Sequence, residues 1–421
     1  MAALQIPRDN ALDSSLAFKS EGYAFIGNRC QQLGSDIFEA RLLGKRYYCT
    51  TGSDAARMFY TPGRFTREGG LPVSTLKLLQ DEGSVAVLDG DAHRRRKAMM
   101  LSLMTPARLD EMAALAAERL RGAARGWQGG ERVTLHDAFR RVLGGAVCAW
   151  AGVPVDAERL ESLTGEIGAM IDNAGTVGPQ NWKSRSQRRR AEKFLNGLVE
   201  DVRQGESMPP PASALAVIAA HKDGEGELLP PAVAAVEMLN ILRPTVAIAR
   251  FMTFAVLALY QHPETRDLLA GDDHYVEAFV QEVRRLSPFF PVVAGVAKEP
   301  FTWRDHHFEA GDRFILDLYG TDRDGRAWDD PESFRPERFL RWPGDAFTMI
   351  PQGGGDHLEN HRCAGEWLTI AVMKSMLRVL TREIDYDVPG QDLSVDLSQL
   401  PALPKSGFVI SVKAVGLRKV V

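Results

Sequence analysis

Disulfide bonding, membrane spanning and polyanion binding are all poorly provided for in this chain. Its 421 residues include four cysteines, Cys30, Cys49, Cys148 and Cys363. They are too few and too scattered for a disulfide framework and suit a reducing compartment. The first ten residues hold Pro7 and Asp9 and no apolar segment, so neither a signal peptide nor an anchor is expected there. The longest apolar stretch, residues 246–260, is interrupted by Arg250 and falls short of the roughly 20 residues a bilayer span needs. A buried helix is the expectation, with no membrane span and a cytoplasmic location. A net charge of −4 gives no general attraction to nucleic acid. No internal repeat of useful period is present.

Helical periodicity, by contrast, is abundant. Pro106–Gly126 carries Ala, Leu and Arg at helical spacing, with Gly only near its end. Residues 135–151, 155–173, 185–204, 231–261, 273–287 and 364–384 read the same way, and a basic helix is expected to begin near Asp89-Gly90. Strand signals are short: residues 47–50, 302–303, 314–318 and 408–412, each bounded by Gly, Pro or Asp turns. The expected fold class is mostly α with a small β portion, in one domain over residues 1–421. Within it, a β-containing N-terminal part covers about 20–75 and a helical body about 90–290 and 364–384. Basic runs at residues 94–97 and 188–190 read as solvated helix faces.

Between Asp322 and Gly365 runs a stretch rich in Pro, Gly and Asp with little periodicity, which in a compact domain points to function. It ends in Ile350-Pro-Gln-Gly-Gly-Gly-Asp-His-Leu-Glu-Asn-His361-Arg-Cys363-Ala-Gly-Glu-Trp367. Three glycines permit tight backbone turns. Cys363 then stands just before a helix, whose N-terminus supplies partial positive charge and free N–H groups that favour a thiolate. A lone cysteine is ordinarily an inert buried residue, and that reading holds for Cys30, Cys49 and Cys148.

Upstream, Glu282-Val-Arg-Arg285 puts a carboxylate and a guanidinium three apart on one helix face. Then follows Asp330-Pro-Glu-Ser-Phe-Arg-Pro336-Glu-Arg338-Phe339, and after it the glycine loop. This order of motifs resembles the cytochrome P450 superfamily. The resemblance implies a single-domain P450 fold enclosing a buried haem b, with Cys363 as the axial iron ligand. It implies a haem-ligand loop at about 345–365, with Gln352 and His361 beside the cofactor, and an ion-paired triad of Glu282, Arg285 and Arg338 that fixes this loop. One departure is a longer spacing between the loop glycine and the cysteine. Another is His361 where a basic residue usually stands, with Arg362 adjacent.

The long helix lacks a further feature. Most family members carry an acid-alcohol pair there, whereas this chain reads Glu237-Met-Leu-Asn240-Ile-Leu-Arg243-Pro244-Thr245. An arginine amid apolar residues is costly unless paired, and its fork suits a carboxylate. Pro244 removes the N–H that would bond the carbonyl of Asn240 and is expected to push the helix out of line, making room. Read by itself, Arg243 also fits a structural ion pair with Glu237. Arg243-Pro244, the extended loop and His-Arg-Cys resemble the bacterial fatty-acid peroxygenases, a branch that includes decarboxylases forming terminal alkenes. The likeness extends to Leu42-Leu-Gly-Lys, Leu101-Ser-Leu-Met-Thr-Pro, Trp150-Ala-Gly-Val-Pro and Leu318-Tyr-Gly-Thr. It implies a fatty-acid carboxylate held on Arg243, with Pro244 shaping the site. It also implies hydrogen peroxide as co-substrate and no obligatory redox partner.

His93 and Lys97 lie four apart on one helix face, and the resemblance assigns them to the haem propionates. Arg94 and Arg95 are expected in solvent. Leu79, Val85 and Ala86 are expected to line the distal pocket, and Phe289 and Phe290 either the alkyl channel or ordinary core. Family members carry Gln or His at the position of Ala86, where His favours decarboxylation, and often an aromatic residue at that of Gln80. Ala86 offers no side-chain hydrogen bond, so hydroxylation of the alpha or beta carbon is expected to dominate. Two alternatives remain. One is an O2-dependent monooxygenase with Thr245 as its nearby alcohol and a redox partner docked on a basic face around Arg96. The other is a haem- and fatty-acid-binding sensor without turnover.

Overall fold

The computed structural model describes residues 5–79, 83–129 and 131–416. Its centre is the 31-residue helix Pro231–Gln261, called here the central helix, where Pro231 occupies the first turn. It is long and apolar enough to cross a membrane, yet 94% of the relevant window is buried inside the protein. Leu135–Ala151, Ala157–Asp172, Pro179–Gln204 and the helix that follows Cys363, Glu366–Arg382, pack around it. One large apolar cluster, with Leu239, Leu242, Val246, Phe251, Leu143 and Met373 at its heart, joins these helices. Truncating such a leucine to alanine costs about 2–5 kcal/mol.

The observed helix bounds follow local signals. Pro106–Gly126, Leu135–Ala151 and Pro231–Gln261 match the periodicity. Residues 155–173 shrink to Ala157–Asp172 because the Asp156 side chain accepts from Arg159 N at 2.7 Å and caps the start. The helix expected from residue 185 begins earlier, at Pro179. The central helix continues through Pro244 as a single element, as the reading of residues 231–261 expects, and the Thr245 hydroxyl bonds Ile241 O at 2.8 Å.

A five-stranded sheet lies at one side, in the order Ile37–Leu42, Lys45–Thr50, Arg313–Asp317, Val292–Ala297, Phe65–Thr66. Tyr48 pairs Phe314 in a parallel ladder, and Ala294 pairs Ile315 in an antiparallel one. Phe314 and Leu316 enter one apolar cluster and Ile315 another, as the two-residue period of a strand requires. That strand stops at Asp317 rather than Leu318, because the Asp317 side chain accepts from Gly320 N at 2.8 Å and starts a short helix. The last strand runs Val409–Val415, beyond the expected residue 412.

Candidate functional site

The cysteine loop is built backbone first. Cys363 N donates to Gln352 O at 3.0 Å, and Gly355 N to Ala346 O at 2.7 Å. A Cβ on Gly354 would stand 2.7 Å from Ala346 O, and one on Gly355 2.5 Å from Asn360 Oδ1, so the close fold demands glycine. Gln352 Nε2 lies 3.8 Å from Cys363 Sγ and 3.1 Å from Thr369 Oγ1. Burial pushes the Cys363 thiol up; the Gly365 N–H, Lys97 and Arg284 act against that rise.

Arg284, just before the motif arginine, is 1% exposed, bonds Gln352 Oε1 at 3.1 Å and pairs with Glu366 at 2.5 Å. Burial would raise Glu366, but Arg284 and Arg362 outweigh it and hold the carboxyl at about 2. The sequence reading did not single out Arg284. On the other side, His93 stacks on His361 with ring centroids 3.9 Å apart, and His361 Nε2 is 2.9 Å from Leu88 O. Burial lowers His93 to about 4 and His361 to about 2. Lys97, lowered to about 8 chiefly by burial, donates to Arg362 O at 2.7 Å and to Asn360 O. Arg67, over the Phe59 ring, is near enough for its charge to lower both histidines further.

These groups suit a haem. Among the described residues no cluster of three or more His, Cys, Asp or Glu is arranged for a metal ion. Cys363, a soft sulfur just ahead of the Glu366–Arg382 helix, suits the iron of a macrocycle that brings its other ligands. Lys97 and Arg67 could supply positive charge to a carboxylate on the cysteine side, and His93, kept neutral by burial, could donate a hydrogen bond to one. Beneath them, Glu282 and Arg285, each 0% exposed, form a two-pronged pair at 2.8 and 2.9 Å, and Arg338 Nε reaches Glu282 Oε1 at 3.1 Å. Arg285 continues to Asp322 O at 2.9 Å, and Asp322 accepts from Ile350 N at 2.6 Å at the start of the loop. The triad is thus wired to the segment that carries the cysteine.

On the central helix, Arg243 is 7% exposed. Its Nη2 donates to Asn240 Oδ1 at 2.9 Å, while its Nη1 is buried with no hydrogen-bond partner among the described residues. Burial, then repulsion by Arg188, pulls Arg243 down to about 9. The ion pair with Glu237 is not formed: Glu237 pairs instead with Arg96 at 2.6 Å.

A protein-family model described as cytochrome P450 matches residues 176–410, more than half of the chain. The chain belongs to the cytochrome P450 family. Its cofactor is haem b. A variant of cytochrome P450SP alpha (CYP152B1) is 44% identical over 96% of this P450 and 100% of that chain, with a TM-score of 0.94. Wild-type cytochrome P450EX alpha (CYP152N1), solved with myristic acid, is 41% identical over 98% of this chain and 100% of that one, at a TM-score of 0.94. A variant of cytochrome P450 OleT in complex with arachidonic acid is 36% identical over 99% and 100%, at 0.96. Putative cytochrome P450 120 of Synechocystis is 24% identical over 95% of this chain and 94% of that protein.

In this P450 the other expected residues fall as follows. Leu79, Val85 and Ala86 are half-buried, and Ala86 N bonds Ser84 Oγ at 3.2 Å; Gln80 lies outside the described residues. Phe289 stacks on Phe251 at 4.4 Å, while Phe290 is 43% exposed and so is not ordinary core. Arg94 and Arg95 are exposed as expected. Two corrections concern arginines. Arg96 is buried, so it is not itself part of the exposed basic face formed by Arg94 and Arg95. Arg188, expected in solvent, is 2% exposed and bonds Glu192 at 2.6 Å. Asn181, Ser184, Arg188, Ala191 and Leu195 share the buried face of their helix, and that three-four spacing was the available signal.

Proposed function

We propose that this P450 is a hydrogen-peroxide-dependent peroxygenase of medium- and long-chain fatty acids. It hydroxylates the alpha or beta carbon and releases a minor share of terminal alkene. The observation that carries the reading is Arg243: a buried guanidinium with one amide partner and one free N–H-bearing arm, on the helix that lacks an acid-alcohol pair. Glu192 and Glu237 attract this cation but form no ion pair with it, and a substrate carboxylate on Nη1 would supply a directly bonded counter-charge. The relatives solved with myristic and arachidonic acids support the substrate class.

Haem, held by Cys363 and flanked by His93, Lys97 and Arg67, supplies the oxidising chemistry toward peroxide when bound. The protein's part is to orient and to exclude. Arg243 fixes the carboxylate end, so that the alpha and beta carbons, rather than the far end of the chain, face the reacting centre. The bound carboxylate takes the place of the acid that the helix lacks and carries the peroxide proton. Leu79, Val85, Phe289 and Phe290 guide the chain. No redox partner is required, and the reduced cysteines fit the cytoplasm.

The test is incubation of the purified holoenzyme with dodecanoate and hydrogen peroxide, without reductant, followed by mass spectrometry. Hydroxy acid as the main product is expected, and Ala86→His should raise the alkene share. Turnover only with a reductase and O2 would reject the reading, and peroxide consumed without loss of dodecanoate would return the protein to a binding role.

A further inference from the structure

Arg243 does not set its own position. Its partner Asn240 is itself held: Asn240 Nδ2 donates to Glu237 Oε2 at 3.0 Å and to Ser84 Oγ at 3.0 Å. Glu237, 0% exposed, gathers three donors on its two oxygens. Oε1 accepts from Arg96 Nη1 at 2.6 Å and from Val85 N at 2.8 Å, and Oε2 takes the Asn240 amide. Arg96 Nη1 also reaches Gly83 O at 3.2 Å. One carboxylate therefore ties the segment carrying Val85 and Ala86 to the central helix and to the anchor arginine.

We infer that Glu237 is a positioning residue for fatty-acid binding, acting through Asn240 to hold Arg243 with one arm free. The inference rests on Arg243 being the carboxylate anchor. Its logic lies in hydrogen-bond polarity. An ionised carboxylate accepts at both oxygens, so the Asn240 amide must turn its NH2 toward Glu237 and its oxygen toward Arg243. A glutamine of the same shape breaks that order. With its oxygen toward Arg96 and Val85 N, its NH2 faces Asn240. Asn240 must then turn over and present NH2 to Arg243, donor against donor. The opposite glutamine orientation sets its NH2 against Arg96 and Val85 N. Either way the hold on Arg243, or the hold on the segment beside it, is lost.

The experiment is an equilibrium titration of the holoenzyme, read by haem absorbance, with dodecanoate and with its neutral counterpart dodecan-1-ol. Glu237→Gln should weaken dodecanoate about tenfold, as expected for loss of one charged hydrogen bond, and leave dodecan-1-ol unchanged. In the Arg243→Ala background, Glu237→Gln should have no further effect on dodecanoate, because the two act in series. Should Glu237→Gln fail to fold, Asn240→Ala replaces it with the same expected split between the two ligands. Equal weakening of both ligands, or no effect on either, overturns the positioning role. If Arg243→Ala alone binds dodecanoate as tightly as the parent protein, the anchor itself is wrong. That result is seen independently of Glu237.

Discussion

Arg243 and Arg250 lie seven residues apart on the central helix, 7% and 3% exposed, and both are pushed down chiefly by burial. Their surroundings differ. Arg250 pairs with Asp172 at 2.5 Å and donates to Ala402 O at 2.9 Å and Pro401 O at 3.4 Å, and its Nε has no partner among the described residues. Arg243 has one neutral amide, a second arginine that repels it, Glu192 and Glu237 that attract it without an ion pair, and an Nη1 with no partner among the described residues. A buried guanidinium completed by the fold ties elements together, here the central helix, the end of Ala157–Asp172 and the C-terminal loop. One left incomplete among the described residues has a donor available for the carboxylate proposed above. Asp317 sharpens the contrast, because its Oδ2 is also buried without a partner. Burial raises Asp317 to about 7, so it sheds its charge by taking a proton, an escape that a guanidinium largely lacks.

The largest expected effect is at Arg243. Arg243→Ala should keep haem and the thiolate-type ferrous-CO band while peroxide-driven fatty-acid turnover falls by about 100-fold or more, since the carboxylate end is no longer oriented. Product analysis checks this, and retained turnover would erase the distinction between the two arginines. Arg250→Met should do the reverse. Arg250 is buried, but its partner Asp172 is 40% exposed and keeps Arg140, so the loss costs on the order of 1–2 kcal/mol, visible as a lower unfolding midpoint, while the folded fraction still binds dodecanoate. Lost binding at unchanged stability would make Arg250 functional as well.

The smallest effect is at Asp317. Its folded-state value is raised from 3.8 to about 7, so the folded protein binds the proton more readily than the unfolded chain. Stability from this group is fully present below about pH 4 and is lost as pH rises toward 7. Asp317→Asn keeps an acceptor for Gly320 N and removes the charge. Its gain over the parent protein should therefore grow from acid to neutral pH, to on the order of 1–2 kcal/mol. Thermal unfolding at pH 5 and pH 8 measures it, and a difference independent of pH would contradict the assignment.

The contrast also bears on what a sequence can reveal. The Glu282–Arg285–Arg338 ion pairing was legible because its residues stand in short, ordered motifs, and Cys363 and Arg243 stood out as chemically unusual residues whose roles remain proposals. The bounds of the central helix were legible because a long apolar run is bracketed by prolines at 230–231 and 263. Arg96 and Arg188 were misjudged because exposure is decided by partners and packing from elsewhere: Arg96 finds Glu237 141 residues away. Arg284 was overlooked because it adjoins the motif arginine and its role appears only when Glu366 folds back onto it. Short helices such as Ser53–Phe59 and Ala214–Ala220 complete too few turns for periodicity to register.

The account turns on where the substrate carboxylate sits. A crystal structure of the holoenzyme with dodecanoate bound measures this directly. The account predicts a carboxylate oxygen within hydrogen-bond distance of Arg243 Nη1, about 2.7–2.9 Å, with Asn240 still on Nη2. A carboxylate bound elsewhere, with Arg243 turned onto a protein acid such as Glu192, would contradict it.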